Sequence, residues 1–466
     1  MTSPLLATGD TADQAEERRS LVLAGGGMRV AYQAGVLAAL EQAGLRFQHV
    51  DGSSGGTMNL SMLLSGLDGE EICQRWRTLR QRHFGAPLPW RDYASLRWPA
   101  LGSADGLREK VFPHLGIDPA LIRRAAGVTG TYNVCNFAAK TAEVVEHPDI
   151  DMDLLVAAVS LPVLMPAVTR FGTPYTDAVW IRDSNVPEAV ARGSDDIWLV
   201  WCIGNTATYH NGLFRQYVHM IEMAANGSLL RDLGYVAEHW PKRPVRLHVI
   251  KPAYPLPLDP AYFTGQIDAA TLIALGYADA RRYLDSPAPL TAPWQPSITQ
   301  TQDAPAGAAA RLTLAGRSGI ELHLQLQARG QLQARGSGDA GGPRELTVAG
   351  DVSAPGLRPH TLIEHGTAVL APRAGLTLRL RWRAETGPQT LLAVPAAGGL
   401  AVTVRGEGDG EVIAAGTVPL TWRQLAGALA SVHATDAGTA AQAARHAADL
   451  AMALLRATGR SGRSAR

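Results

Sequence analysis

Leu21-Val22-Leu23-Ala24-Gly25-Gly26-Gly27-Met28-Arg29-Val30 and, further on, Val50-Asp51-Gly52-Ser53-Ser54-Gly55-Gly56 are the stretches whose reading decides the fold. In each, a short apolar strand runs into a glycine-rich turn and then into a helical pattern. After the first, Ala31, Ala34, Val36, Leu37 and Leu40 recur at helical spacing between Val30 and Ala43, and Gly44 closes the helix as its C′ residue. After the second, whose strand is placed as ending at Val50, a helix from about Gly55 to Ser65 again has a glycine behind it. Strands alternating with helices in this way predict an α/β domain.

The chain has 466 residues, more than one hydrophobic core usually supports, so two or three domains are expected. Its formal net charge of +1 gives no electrostatic reason to expect a nucleic-acid partner. Cys73, Cys135 and Cys202 are widely spaced, form no CxxC pair and suit reduced thiols in a cytoplasmic protein. Asp10, Asp13, Glu16 and Glu17 fill the N-terminus where a signal peptide would carry an apolar run. The stretch Leu154 to Val168 is uncharged but holds Pro162 and Pro166; it is too short to span a bilayer and reads as buried core. A cytoplasmic protein, soluble or peripheral to a membrane, is the expectation.

Residues 1–18 read as a disordered leader and 19–285 as the α/β domain, with 195–204 a late buried strand. Around 286–308 the composition shifts to Pro, Thr, Gln and Ala without periodicity, a linker. Over 309–420, Leu322-His-Leu-Gln-Leu, Leu376-Thr-Leu-Arg-Leu-Arg-Trp and Val402-Thr-Val alternate apolar with polar between glycine-rich turns, which predicts antiparallel β. Residues 421–456, rich in Ala and Leu, read as helical, and 457–466 as a weakly basic disordered tail.

Chemistry concentrates in the first domain. Gly52-Ser53-Ser54-Gly55-Gly56 fits G-x-S-x-G between a strand and a helix, a turn that needs small neighbours and sets a serine Oγ at a helix N-terminus. Gly25-Gly26-Gly27 lets successive backbone N–H groups converge on an anion or oxyanion. A dinucleotide fingerprint would need glycine where Val30 stands, and no Gly-Lys-Ser/Thr follows, so neither phosphate-loop reading holds.

The order of these elements resembles the patatin-like phospholipases, whose glycine-rich turn precedes the serine elbow by one βα unit. Ala157-Ala-Val-Ser160-Leu-Pro162, then Tyr175-Thr176-Asp177-Ala178, then Asn185-Val186-Pro187 are similar to further segments of that family, and the likeness covers roughly residues 20–285. It implies a three-layer α/β/α fold and a serine acyl hydrolase of lipid esters. Ser54 would be the nucleophile and Asp177 its base without a histidine. The N–H groups of Gly25, Gly26, Gly27 and Met28 would hold the oxyanion, with Arg29 either at a substrate head group or in a salt bridge. No metal or cofactor is implied. The C-terminal strands faintly resemble the β extension of some cholesterol-oxidase-like proteins.

The chain departs from the family pattern at Val30, where a glycine is usual, and at Ala178-Val179, where a second small residue is missing. The longer spacing from Asp177 to Pro187 makes Asp183 a rival base. His219, in the stretch Tyr217-Val-His-Met-Ile read as a helix, would be a triad base if the dyad failed. The thirteen histidines show no HExxH or paired metal spacing, so core and surface roles are the default for each. Trp76, Trp90 and Trp98 read as core packing, or as a cap that touches lipid. The rival to an enzyme is a lipid-binding scaffold that kept the fold without the activity.

Overall fold

The computed structural model describes residues 3–7, 18–84, 88, 91, 100–203, 209, 211–256, 267–300, 307–316, 318–328, 344–371, 374–384, 386–397, 399–407, 410–435 and 440–458. They form two units, one built from the chain up to residue 300 and the other mainly from residues beyond it.

The first unit is organised on an eight-stranded sheet: β1 (Arg19–Leu23), β2 (His49–Ser53), β3 (Thr129–Asn136), β4 (Thr141–Glu146), β5 (Val168–Arg170), β6 (Thr173–Asp177), β7 (Asp196–Val200) and β8 (Arg246–Ile250). In the order β8-β7-β1-β2-β3 the strands are parallel. Connections between strands carry α1 (Ala31–Gln42), α2 (Gly56–Leu64), α3 (Gly69–Thr78), α4 (Met152–Val159), α5 (Val186–Ala191) and α6 (Leu213–His239), and α7 (Ala269–Asp285) follows β8. Val22, Ile197, Leu199 and Leu247 point to one face and share a core with Val186 of α5 and Ala225 and Leu229 of α6. Strand residues alternate between faces, so Trp198 and His248 point the other way, where Tyr283 of α7 meets Trp198 edge-on. Helices on both faces make the three-layer sandwich that the sequence predicts. On that second face α1 crosses α7 backbone to backbone: a Cβ on Gly276 would lie 1.9 Å from the Tyr32 carbonyl oxygen.

One junction positions the site. Between residues 131 and 136, β3 pairs along one edge with antiparallel β4. Its other edge is shared. Parallel β2 occupies it over Thr129–Asn133, and antiparallel β6 takes over at Val134–Asn136. The carboxyl ends of β2 and β6 therefore meet head to head beside Asn133 and Val134.

The second unit is one antiparallel sheet of β9 (Gly307–Ala315), β10 (Glu321–Ala328), β11 (Arg344–Ser353), β12 (Thr361–Leu362), β13 (His365–Ala371), β14 (Gly375–Ala384), β15 (Gly387–Ala396), β16 (Gly399–Gly406), β17 (Val412–Pro419) and β18 (His433–Thr435). Leu312, Leu322, Leu324, Leu378, Leu380 and Trp382 face one core with Leu425 of α8 (Trp422–Ala430) and Leu450 of α9 (Ala440–Thr458). Each unit thus has its own core.

Several expectations are corrected. Residues 3–7, assigned to a disordered leader, hold buried Leu5 and Leu6, and Leu6 bridges Phe47; residues 8–17 lie outside the described residues. The second strand continues past Val50 to Ser53. Of the apolar run 154–168 only the α4 part is core; Val163 is 58% exposed, because Pro162 and Pro166 end the helix and leave a loop. Residues 286–300, read as linker, pack on the first unit through the Leu247–Leu290 bridge and buried Ile298. The segment 421–456 is two helices separated by β18, which pairs with the edge of β9. The tail from 459 lies outside the described residues.

Candidate active site

Ser54 follows the last residue of β2 and adopts φ +49, a left-handed backbone rare for a residue with a side chain. The elbow closes because its neighbours are glycines. A Cβ on Gly56 would lie 2.1 Å from the Leu23 carbonyl oxygen, and one on Gly55 would lie 2.7 Å from Val30 Cγ1. Val30 fills the place of the family's glycine without strain, since its φ is −65 and its side chain packs on the elbow.

Ser54 Oγ donates a hydrogen bond of 2.6 Å to Asp177 Oδ2 across 123 residues of sequence. The end-to-end meeting of β2 and β6 accounts for it: Asn133 pairs with Ser53 and Val134 with Asp177, so the two side chains converge. Asp177 is fully buried, and burial raises its carboxyl to about 7 against the hydrogen bonds donated by Ser54 and by the Val179 N–H to Oδ1, 2.9 Å away. The main-chain N–H of Asp177 and the Thr176 hydroxyl both donate to the Ser160 carbonyl oxygen, which fixes β6 against the end of α4.

Asp183 packs beside Gly25 and does not bond Ser54 among the described contacts. Its Oδ1 accepts the Gly25 N–H at 3.1 Å, and Gly25 is packed so closely that a Cβ there would meet that oxygen at 2.1 Å and Ser54 Cβ at 2.7 Å. Burial, and then the charge of Asp177, hold the Asp183 carboxyl well above the usual range. The geometry favours Asp177 over its rival. It also corrects the role of Gly25, whose N–H is taken by Asp183 and is not available to an oxyanion.

The rest of the glycine turn is braced from below. Gly27 has φ +57 and opens a short 3-10 helix to Val30. Gly26 packs on Cys202, whose Sγ would lie 2.5 Å from an added Cβ. Arg29 is buried; its Nε donates to the Gly26 carbonyl oxygen, and its Nη1 lies 3.4 Å from Glu222 Oε1 on α6. Of the two roles weighed for Arg29, the ion pair is the one formed. Glu222 also bonds His219 Nδ1, so that histidine belongs to this brace.

Two polar groups that sequence reading passed over tie the turn to the elbow. Asn59 of α2 donates to the Val30 carbonyl oxygen and to Gln33 Oε1, and accepts the Trp76 indole N–H. Gln33 donates to the Ala24 carbonyl oxygen, at the end of β1. Their signal was a lone amide on the inward face of an otherwise apolar helix. Trp76 is fully buried, which makes it core; Trp90 and Trp98 lie outside the described residues. Behind the elbow, Asn133 donates both to Asp51 and to the Gly52 carbonyl oxygen and accepts from Asn185, so the Asn-x-Pro segment is joined to the nucleophile strand.

Residues 21–192 match the family described as patatin-like phospholipase. Among solved structures, VipD from Legionella pneumophila is similar at 14% identity and a TM-score of 0.33, over 59% of this chain and 67% of that one. The type III effector protein ExoU is similar at 14% identity and a TM-score of 0.24, over 58% of this chain and 53% of that one. No curated protein matches the sequence. No described helix is long and apolar enough to cross a membrane.

Proposed function

From the premise that residues 21–192 are a patatin-like phospholipase domain, we propose that the chain is a serine acyl hydrolase of phospholipids or related lipid esters. The observation that carries this reading is the 2.6 Å hydrogen bond from Ser54 to a buried, elevated Asp177 at a left-handed elbow. Ser54 Oγ attacks the ester carbonyl carbon while its proton passes to Asp177. The oxyanion is received by the N–H groups of Gly26 and Gly27, with Met28 adjoining, each such donor being worth about 3 kcal/mol. Collapse expels the alcohol, protonated by Asp177, and leaves acyl-Ser54. Asp177 then deprotonates a water that releases the fatty acid. Asp183 holds the glycine turn through Gly25, and Arg29 anchors it to α6.

The substrate side follows from exposed apolar groups near this end of the sheet. Phe171, 91% exposed, tips the β5–β6 hairpin whose second strand carries Asp177, and Val163 projects from the adjoining loop. Those residues suit contact with a lipid surface.

The test uses a fluorescent fluorophosphonate and short p-nitrophenyl esters on wild type, Ser54→Ala, Asp177→Asn and Asp183→Asn. Labelling and turnover should vanish in the first variant and fall on the order of 10³-fold or more in the second, the scale seen when a serine loses its base system. Asp183→Asn should keep turnover within about tenfold, since an amide oxygen can still accept from Gly25. A folded wild type that neither labels nor turns over would sink the reading in favour of a lipid-binding scaffold.

A further inference from the structure

The strand register of the second unit brings three metal-competent side chains together. β10 and β11 are antiparallel, with His323 directly opposite Asp351, so both project from one face. Leu322 and Leu324, on either side of His323, point to the other face and the core. His360 arrives by a different route, at the end of the turn that leads from β11 into β12. Its Nδ1 lies 2.9 Å from Asp351 Oδ1, and His323 Nδ1 lies 3.2 Å from the same oxygen. One donor atom from each of the three residues falls within 4.8 Å of the others.

We infer that His323, Asp351 and His360 bind a divalent transition-metal ion, of which zinc is the best probe. The donor spacing suits the shell. Ligands about 2.0–2.1 Å from zinc in a tetrahedral arrangement stand roughly 3.3 Å from one another, close to the separations between Asp351 and each imidazole. Two imidazoles and one carboxylate also match the ions that favour nitrogen over those, such as calcium and magnesium, that favour oxygen.

Two further observations fit a ligand site better than a polar surface. His360 takes φ +57, a left-handed backbone uncommon for a residue with a Cβ, and its N–H is fixed by the Ser353 hydroxyl at 2.9 Å. The carboxylate is buried while the imidazoles are 37% and 38% exposed, so the anionic ligand is fixed from below and the outer coordination positions face solvent. A water there would complete a four-coordinate ion. The ion would clip the turn before β12 to the β10–β11 pair. Linear spacing could not show this, because the ligands come from two strands and a turn.

The experiment titrates chelator-stripped full-length protein with zinc against a chromophoric competitor and follows cobalt binding by its visible absorption. One ion per chain is expected, with a cobalt spectrum of mixed nitrogen and oxygen ligation. His360→Gly removes the imidazole while relieving the left-handed backbone, so the metal-free variant should unfold no earlier than wild type. His323→Gln keeps a polar group on the exposed face. Each variant should weaken zinc by more than about a hundredfold, beyond the ~10–100-fold typical of outer-sphere partners. Zinc should raise the unfolding temperature of wild type and of neither variant. No binding tighter than millimolar, or equal binding in the folded variants, would overturn the assignment and leave a carboxylate hydrogen-bonded by two histidines.

Discussion

At the scale of single residues, the behaviour of the site rests on Asp177 and Gly26. Burial raises Asp177 to about 7, and a base acts only when deprotonated. For a soluble ester, kcat/KM should therefore climb about tenfold per pH unit below that value and level off above it; a profile flat from pH 5 to 9 would remove Asp177 as the base. Gly26 faces Cys202 at a distance no Cβ tolerates. Gly26→Ala should lower kcat by about 10²-fold, as displacement of an oxyanion donor does. The double variant with Cys202→Ala should recover part of that loss in the same assay. The elbow and the glycine turn were legible as local motifs, whereas Asp177 came only from the family resemblance. What escaped was any role set by partners far along the chain. The engagement of Gly25 by Asp183 and the burial of Arg29 against Glu222 depend on contacts 158 and 193 residues away.

At the scale of elements, the α1–α7 crossing and the β5–β6 hairpin lend themselves to test. The α1–α7 crossing has no room for a methyl group at Gly276, so Gly276→Ala should cost about 2 kcal/mol or more, read as a fall in denaturation midpoint. The β5–β6 hairpin carries Phe171 at its exposed tip and Asp177 at its buried end. Phe171→Asp should cut hydrolysis of vesicle lipid at least several-fold and leave soluble-ester turnover unchanged; equal losses on both substrates would mean the hairpin had been distorted instead. The helical reading of 421–456 failed for a physical reason. Alanine and leucine favour helix throughout that run, but the short segment His433–Thr435 is drawn out to complete the edge of β9, a demand that appears only once β9 exists. Strands β15 and β17 were missed in the same way, since residues 387–396 hold two prolines and residues 412–419 alternate weakly. The core helices α1 and α2 were foreseen almost to the residue, because capping glycines and apolar spacing are both local.

At the scale of the molecule, the first unit carries buried acids that set how its stability responds to pH. Burial raises Asp51 and Asp177 to about 7 and holds Asp183 well above its ordinary value, whereas an unfolded aspartate ionises near ~3.9. Between those values the folded chain binds more protons than the unfolded one, so stability falls as pH rises. The contribution is complete below about pH 4 and is lost through pH 7. Thermal unfolding of the first unit should accordingly occur at a higher temperature at pH 5.5 than at pH 8. Asp51→Asn should flatten that slope, and a slope of the opposite sign would show that other groups govern it. The sandwich layers and the separate β-rich unit follow from patterns spread along the whole sequence, which is why they could be read; the junction on β3 could not, because it is a property of register. That junction has a kinetic consequence. The serine lies at the end of β2 and its partner at the end of β6, and the pairing of both strands along β3 brings them within reach. A nascent or partly unfolded chain therefore carries an inert hydroxyl. Covalent capture of Ser54 during refolding would time the arrival of β6, one of the long-range pairings that set the pace of such topologies.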